Sequence, residues 1–164
     1  MDEATREAMA PVLGQIPSGL FILTAADGTG NETGLLASWV QQASFDPPVV
    51  TVAVNAKRYL NDWLAASPKL ALCLLAETQK EMLGHFGRGF DADQPAFEGL
   101  EIERTHNNLP ALKDSLGYVE GDVVNHVTAG DHVIYFVELT GAGPGTRSDD
   151  EKPYVHIRKN GFGY

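Results

Sequence analysis

Residues 34–54 combine polar side chains with two apolar runs and carry almost no charge. The segment reads GLLASWVQQASFDPPVVTVAV, and Asp46 is its one charged residue. A site for a flat, polar heterocycle needs a strand edge with free backbone N–H and C=O groups, small side chains beside the ring, and a few hydroxyl or amide groups. The small and polar residues of this kind are Ala37, Ser38, Gln41, Gln42 and Ser44. The segment is therefore a candidate ring-binding edge, and a barrel strand with a polar outer face is the alternative that composition leaves open.

Five histidines and one cysteine are the residues that could bind a metal ion, but their spacing does not favour it. No pair of histidines follows an H-x-x-x-H pattern, and Cys73 has no C-x-x-C partner. We therefore expect no native metal, and we expect Cys73 in the apolar run KLALCLLA to be buried. His132 follows Gly130 and Asp131, so its simplest role is that of a turn histidine hydrogen-bonded to Asp131 or to a backbone carbonyl.

The charge balance restricts the partners of the protein. Lysine and arginine number 12 against 22 aspartate and glutamate residues, a formal net charge of −10. This charge repels nucleic acid, but a small anion can still bind where a loop places Lys or Arg beside backbone donors, because salt screens distant charges. No apolar run is long enough to span a bilayer, and the N-terminus lacks the features of a secretory signal. We expect a cytosolic protein with no membrane partner.

Short helices and many strands must position these residues. Periodicity predicts helices over residues 5–16, 58–68 and 78–90. Strands are predicted over residues 19–25, 34–46, 49–54, 69–76, 100–107 and 153–160, with a hairpin over 118–143 that turns at residues 129–131. Pro47 and Pro48 must end the second strand, because proline donates no hydrogen bond to a sheet. Without regular β-α alternation, the pattern predicts one domain, residues 1–164, of the α+β class: a mainly β, antiparallel barrel with short helices.

The second predicted strand has no uniformly apolar face. If it is continuous, its two faces carry Ser38, Val40 and Gln42 on one side and Trp39, Gln41 and Ala43 on the other. Such a strand does not simply fill a core, which favours the ring-binding interpretation.

Several motifs together resemble one known family. The segment at 34–54, the strand and helix LALCLLAETQKEMLGHF at 70–86, the FEG loop at 97–99, NLPAL at 108–112 and GDH at 130–132 are similar to the flavin reductase-like family, especially the flavin reductase modules fused to flavodiiron proteins. The closing residues, from Pro153 and Tyr154 through Arg158 to Tyr164, also fit. The resemblance begins near residue 12 and implies an FMN-binding split barrel, antiparallel and of the Greek-key type, that works as a homodimer. Asn108 stands where the family usually has glycine.

The resemblance also implies a set of binding residues. It assigns the flavin ring to Ala37, Ser38, Trp39, Val40, Gln41 and Ser44. It assigns the phosphate to the stretch after the third strand and to the end of the third helix: Asn55, Lys57, Arg58, His85, Phe86 and Arg88. The charge argument agrees, because an acidic protein needs local cations to hold an anion, and a guanidinium group binds phosphate with two hydrogen bonds.

The implied activity is hydride transfer from NAD(P)H to FMN and then to a second acceptor, which is free flavin, a partner protein or a metal complex. In related reductases, the histidine that matches His132 lies beside the reactive face of the flavin and helps to position the nicotinamide. The resemblance also assigns nicotinamide binding to Tyr154 and Arg158. The Gly-rich stretches at 27–34 and 140–146 do not place a helix after a strand, so no separate dinucleotide domain is expected. NAD(P)H must then bind over the flavin. FMN is favoured over FAD because one basic cluster is evident. A flavin-binding electron carrier or store without NAD(P)H activity is the alternative, and a structural barrel without cofactor is a third.

Overall fold

A computed structural model describes residues 1–148 and 150–163. Within them the helices are α1 (Glu3–Gly14), α2 (Leu60–Ala66) and α3 (Lys80–Phe86). The strands are β1 (Ser18–Gly19), β2 (Phe21–Ala26), β3 (Glu32–Ala37), β4 (Val40–Phe45), β5 (Pro48–Asn55), β6 (Lys69–Leu74), β7 (Ile102–Arg104), β8 (Pro110–Leu112), β9 (Gly117–Ala129), β10 (His132–Pro144) and β11 (Val155–His156). Each strand pairing among the described residues is antiparallel. The predicted mainly β fold with short helices is confirmed.

The central sheet has the strand order β3-β2-β6-β9-β10-β5-β4. Its two outermost strands, β3 and β4, are consecutive in the chain and are joined by Ser38 and Trp39. Because two residues span only a few ångströms, the edges of the sheet meet at this connection, and the sheet curls into a barrel. The barrel therefore closes within the candidate ring-binding segment.

Two hydrophobic clusters hold the barrel together. One lies between the sheet and α2 and includes Leu23, Leu64 and Val52; the other lies between the sheet and α3 and includes Ile22 and Phe86. Neighbouring residues of β2 thus point into different clusters, which explains why this strand is a continuous apolar run.

The edge strand β3 approaches α3 closely. A side chain at Gly34 would overlap the Phe86 ring, so glycine at this position lets the end of α3 pack on β3. This packing fixes where the loop after α3 begins.

Cys73 belongs to the second cluster and is fully buried, as predicted. Burial raises the pKa of its thiol to about 11. The thiol therefore stays protonated at neutral pH and is inert as a nucleophile.

The structure corrects several predicted element bounds. Residues 34–46 do not form one strand: β3 ends at Ala37, β4 begins at Val40, and the predicted alternation of faces breaks at Ser38 and Trp39. The first helix begins at Glu3, where Asp2 accepts a hydrogen bond from the Thr5 N–H (2.8 Å), and it contains Pro11. The other two helices are shorter than predicted, and the predicted last strand is reduced to the two residues of β11.

Other expectations are confirmed. The long hairpin consists of β9 and β10, which join through Gly130 at φ 64° and Asp131. Pro47 lies in the turn between β4 and β5, and Pro48 begins β5 opposite Phe45. The β8 strand within NLPAL was not predicted. Asn108 takes φ 60°, a left-handed conformation that asparagine tolerates better than most residues, so the turn survives the replacement of glycine.

The C-terminal segment returns to the start of the barrel. β11 pairs with β1, the Arg158 N–H donates to the Gly14 carbonyl (2.9 Å), and the Gly161 N–H donates to the Ala10 carbonyl (2.8 Å). A Cβ atom at Gly14 would lie 2.6 Å from the Arg158 carbonyl oxygen, so glycine permits this approach. Tyr164, which the family resemblance included, lies outside the described residues. Within the described chain, no helix has the length and apolar character needed to cross a membrane.

Candidate functional site

The connection between β3 and β4 separates two neighbouring clefts. We call the first the turn cleft: it has a volume of about 380 Å³ and is lined by residues that include Ala37, Asn55, Arg58, Gly87 and His156. We call the second the strand cleft: it has a volume of about 530 Å³ and is lined by residues that include Trp39, Val40, Gln41, Thr51 and Ile134. Ser38 and Ala53 line both clefts. A ligand of cofactor size that bridges the two would contact small side chains at the crossing point.

A turn after β5 presents the cations of the turn cleft, and its own backbone donors are already used. Residues 55–58 form this basic turn. The Lys57 N–H donates to Asn55 Oδ1 (3.0 Å), the Arg58 N–H donates to the Asn55 carbonyl (3.0 Å), and the Ala56 N–H donates to the Asp131 carbonyl (2.9 Å). An anion in the turn cleft must therefore be held by side chains rather than by these three amides.

The Arg58 side chain extends from the basic turn to the loop that follows α3. Its Nη1 donates to the Arg88 carbonyl (3.2 Å), and a Cβ atom at Gly89 would lie 2.5 Å from the same nitrogen. Gly89 has φ 77°, a conformation that favours glycine, and the absence of a side chain there leaves room for the guanidinium. Lys57 and Arg88 are exposed on either side, outside the residues that line the cleft.

His132 packs against Trp39, which lines the strand cleft. Their ring centroids are 4.7 Å apart, and His132 is only 7% exposed. The Asp131 carboxylate accepts a hydrogen bond from His132 Nδ1–H (2.7 Å), and this bond holds the pKa of Asp131 below its ordinary value. The predicted contact of a turn histidine with Asp131 is thus observed. The Arg158 guanidinium lies over the indole ring of Trp39, with its carbon 5.2 Å from the ring centroid.

The two turns are tied to each other. His132 pairs with Asn55 across β10 and β5, and the carbonyl of Asp131 accepts the hydrogen bond from Ala56. The basic turn is therefore joined directly to the turn that carries Asp131 and His132.

Seven of the fifteen predicted site residues line one of the two clefts. Those that line a cleft are Ala37, Ser38, Trp39, Val40, Gln41, Asn55 and Arg58. Ser44 lies further along the β4–β5 hairpin, opposite Val49. His85 Nε2 is hydrogen-bonded to the Ala96 carbonyl (2.8 Å), and the Phe86 side chain is fully buried in the second core cluster. Tyr154 packs against the same cluster.

Several lining residues were not identified from the sequence. They include Thr51, Ala53, Gly87, Ile134, Val155 and His156. The alternation of β5 and β10 could have identified Thr51, Ala53 and Ile134, because each faces away from the core. Burial and the nearby Arg158 lower the pKa of His156, so its imidazole is neutral at neutral pH. No group of three or more potential metal-ligating side chains was found among residues 1–148 and 150–163.

Curated relatives of the chain include diflavin flavoproteins of cyanobacterial strains. The chain is 35% identical to diflavin flavoprotein A 1 of Synechocystis sp. over 129 residues, which are 78% of this chain and 22% of that protein. It is 32% identical to putative diflavin flavoprotein A 5 of Nostoc sp. over 163 residues, 97% of this chain and 28% of that protein. The chain thus spans about a quarter of the length of these relatives.

Solved structures share the fold. The NADH:FAD oxidoreductase SgcE6 of Streptomyces globisporus superposes with a TM-score of 0.83 at 21% identity, over 96% of this chain and 91% of that chain. The flavin reductase PheA2 gives a TM-score of 0.77 at 25% identity, over 96% and 94% of the two chains. The barrel is therefore the split barrel that the motifs predicted. The family model described as the flavin reductase like domain matches residues 13–163. The chain belongs to the flavin reductase-like family.

Proposed function

We propose that the protein is an NAD(P)H-dependent flavin oxidoreductase that binds FMN across the two clefts. The observation that carries the proposal is their meeting at Ser38 and Ala53, with Arg58 in the turn cleft and Trp39, which packs against His132, at the strand cleft. When bound, the flavin supplies the redox chemistry, because it accepts a hydride and delivers electrons to an acceptor. Relatives named diflavin flavoproteins and a neighbour named an NADH:FAD oxidoreductase support a flavin as the ligand.

The residues of the turn cleft fit a phosphate-bearing ligand. The Arg58 guanidinium, with Lys57 and Arg88 beside it, would neutralise the phosphate of FMN. Small side chains at Ala37 and Ser38 leave room for a ring system, since neither extends far from the backbone. We favour FMN over FAD because one basic turn suits one phosphate.

The residues of the strand cleft would orient the two reacting rings. Trp39 and Ile134 provide apolar walls that exclude water, and Gln41 offers an amide for hydrogen bonding. His132, held by Asp131, would position the nicotinamide, together with Arg158 above the Trp39 ring. Catalysis then rests on proximity and orientation and needs no protein nucleophile.

A second copy of the chain is proposed to cover the strand cleft. Ile16 and Val155 line it and are 59% and 60% exposed, which leaves apolar surface in water beside the site. Sedimentation at micromolar concentration should give twice the 17.7 kDa of the chain. A single species at the monomer mass would contradict the dimer. An electron-acceptor protein and the cytosolic address stay predictions.

Anaerobic stopped-flow absorbance tests the proposed activity. Bound FMN should bleach on mixing with NADH or NADPH, and His132→Ala should slow bleaching by about tenfold to a hundredfold, the usual loss when a positioning group is removed, while FMN affinity stays unchanged. His106→Ala, an exposed histidine away from the clefts, is the matched control. If flavin binds but neither nucleotide bleaches it, the protein is an electron carrier or store.

A further inference from the structure

A hydrogen-bonded pair of residues behind the clefts holds the basic turn in place. Asn61, in α2, directs its Nδ2 group at two carbonyl oxygens of that turn, Asn55 (3.0 Å) and Arg58 (2.7 Å). Its Oδ1 accepts a hydrogen bond from the Tyr135 hydroxyl (2.8 Å). One amide thus bonds both ends of the four-residue turn to a strand of the barrel.

The network admits only one orientation of the Asn61 amide. If the amide were rotated by half a turn, its oxygen would face two carbonyl oxygens, which donate no hydrogen bond. Tyr135 is 5% exposed, and burial raises the pKa of its phenol, so the hydroxyl keeps its proton and remains a donor at neutral pH. The two carbonyls, which only accept, and the phenol, which donates to Oδ1, together hold the amide in the orientation that donates to the turn.

The backbone N–H groups of Ala56, Lys57 and Arg58 are already hydrogen-bonded, the first to Asp131 and the other two to Asn55. Lys57 and Arg58 can meet an anion only through their side chains, so the position of the backbone decides where these cations point. Neither Asn61 nor Tyr135 is among the described residues that line the two clefts. Their influence on a ligand must pass through the turn.

We propose that Asn61, oriented by Tyr135, is a positioning residue for the phosphate of the flavin. The proposal rests on the proposed function, since it takes FMN as the ligand of the turn cleft. Loss of the amide removes one of the two hydrogen bonds that each carbonyl accepts, leaving those from the backbone N–H groups of Arg58 and Asn61. The turn loosens, which weakens binding of the phosphate but leaves the ring-binding surface of Ser38 and Trp39 intact.

Comparing FMN with riboflavin separates an effect on the phosphate site from a general loss of structure. It has the ring system and ribityl chain of FMN but no phosphate, so the ratio of the two dissociation constants reports on the turn alone. In Asn61→Leu, which removes the hydrogen bonds without adding charge, FMN affinity should fall about tenfold or more while riboflavin affinity changes less than about threefold, the scale expected for two lost hydrogen bonds. Tyr135→Phe should shift the ratio in the same direction by a smaller factor.

Thr33→Val is the matched control. The Thr33 hydroxyl is hydrogen-bonded to the Tyr59 hydroxyl (2.7 Å), so this variant also removes a buried hydrogen bond beside the start of α2, without touching the turn carbonyls. In this variant, the ratio of the FMN and riboflavin dissociation constants should equal that of the wild type. Flavin fluorescence titration of the full chain gives each constant, and circular dichroism confirms folding; if Asn61→Leu does not fold, Tyr135→Phe alone decides.

The outcomes separate this inference from the proposed function. If the wild type prefers FMN and the variants lose that preference, the inference is supported. If both ligands weaken equally in Asn61→Leu, or neither weakens, the inference is wrong while flavin binding stands. If the wild type binds neither ligand, the proposed function is wrong and the inference falls with it.

Discussion

The two sides of the site are held in place by different kinds of interaction. In the turn cleft, residues 55–58 are held by hydrogen bonds from Asn61 and to Asp131, and Arg58 reaches the loop after α3. In the strand cleft, β4 is an edge strand whose one paired neighbour among residues 1–148 and 150–163 is β5, and Trp39 is 37% exposed. The turn cleft is thus organised within one chain, whereas the strand cleft leaves apolar surface and a strand edge in water. We infer that phosphate binding is an intrinsic property of the chain and that ring binding gains most from a partner.

The largest effect on FMN affinity is expected from removing the charge of Arg58 in the turn cleft. Arg58→Gln removes the guanidinium, so FMN affinity should fall by about tenfold to a hundredfold, the range for hydrogen bonds to a charged group. Riboflavin affinity should stay within about twofold, because no phosphate is involved. Fluorescence titration measures both constants. Lys80→Gln, an exposed lysine at the start of α3, is the control; equal losses in both variants would mean that net charge alone is responsible.

A smaller effect is expected from displacing Arg58 without changing it. Gly89→Ala places a methyl group 2.5 Å from Arg58 Nη1, so FMN affinity should fall about threefold to tenfold as one hydrogen bond is lost. Gly28→Ala is a close control, because Gly28 has φ 80° but nothing within 4 Å of the added methyl group. Both variants carry the same backbone strain, which costs about 1 kcal/mol of stability. Equal FMN affinities in the two variants would show that the position of Arg58 is unimportant.

The smallest effect is a pH dependence of stability that arises from His156, which belongs to β11 and lines the turn cleft. Its folded pKa lies below the ordinary value of 6.5, so the unfolded chain binds more protons. The contribution of His156 to stability is therefore complete above pH 6.5 and is lost as the pH falls toward the folded pKa. Denaturant midpoints measured from pH 7.5 to 5 should fall less steeply in His156→Gln than in the wild type. Parallel curves would exclude the effect.

Local sequence patterns predicted most of the helices and strands but not how the strands meet in the barrel. The long hairpin and the strand after Pro48 follow from periodicity and turn residues, which act over short distances. The break at Ser38 and Trp39 did not follow, because it depends on the two sheet edges meeting across the barrel. The role of Asn61 was also missed, since its partner Tyr135 lies 74 residues away.

Residues that the family motifs name together have different surroundings in the structure. Ser38 and Arg58 line the turn cleft, whereas the Phe86 side chain is enclosed by the core beneath Gly34. A motif residue can therefore serve the site by placing the next residues of the chain, here the loop at Gly87 to Gly89. Sequence similarity does not distinguish that role from direct binding.

A crystal structure of the protein with FMN tests the central claim most directly. We expect the phosphate within hydrogen-bonding distance of the Arg58 guanidinium and the ring system beside Ser38 and Trp39, with its reactive face toward His132. A flavin bound elsewhere on the chain, or a β3–β4 connection packed against protein atoms so that no slot remains for the ring, would contradict the account.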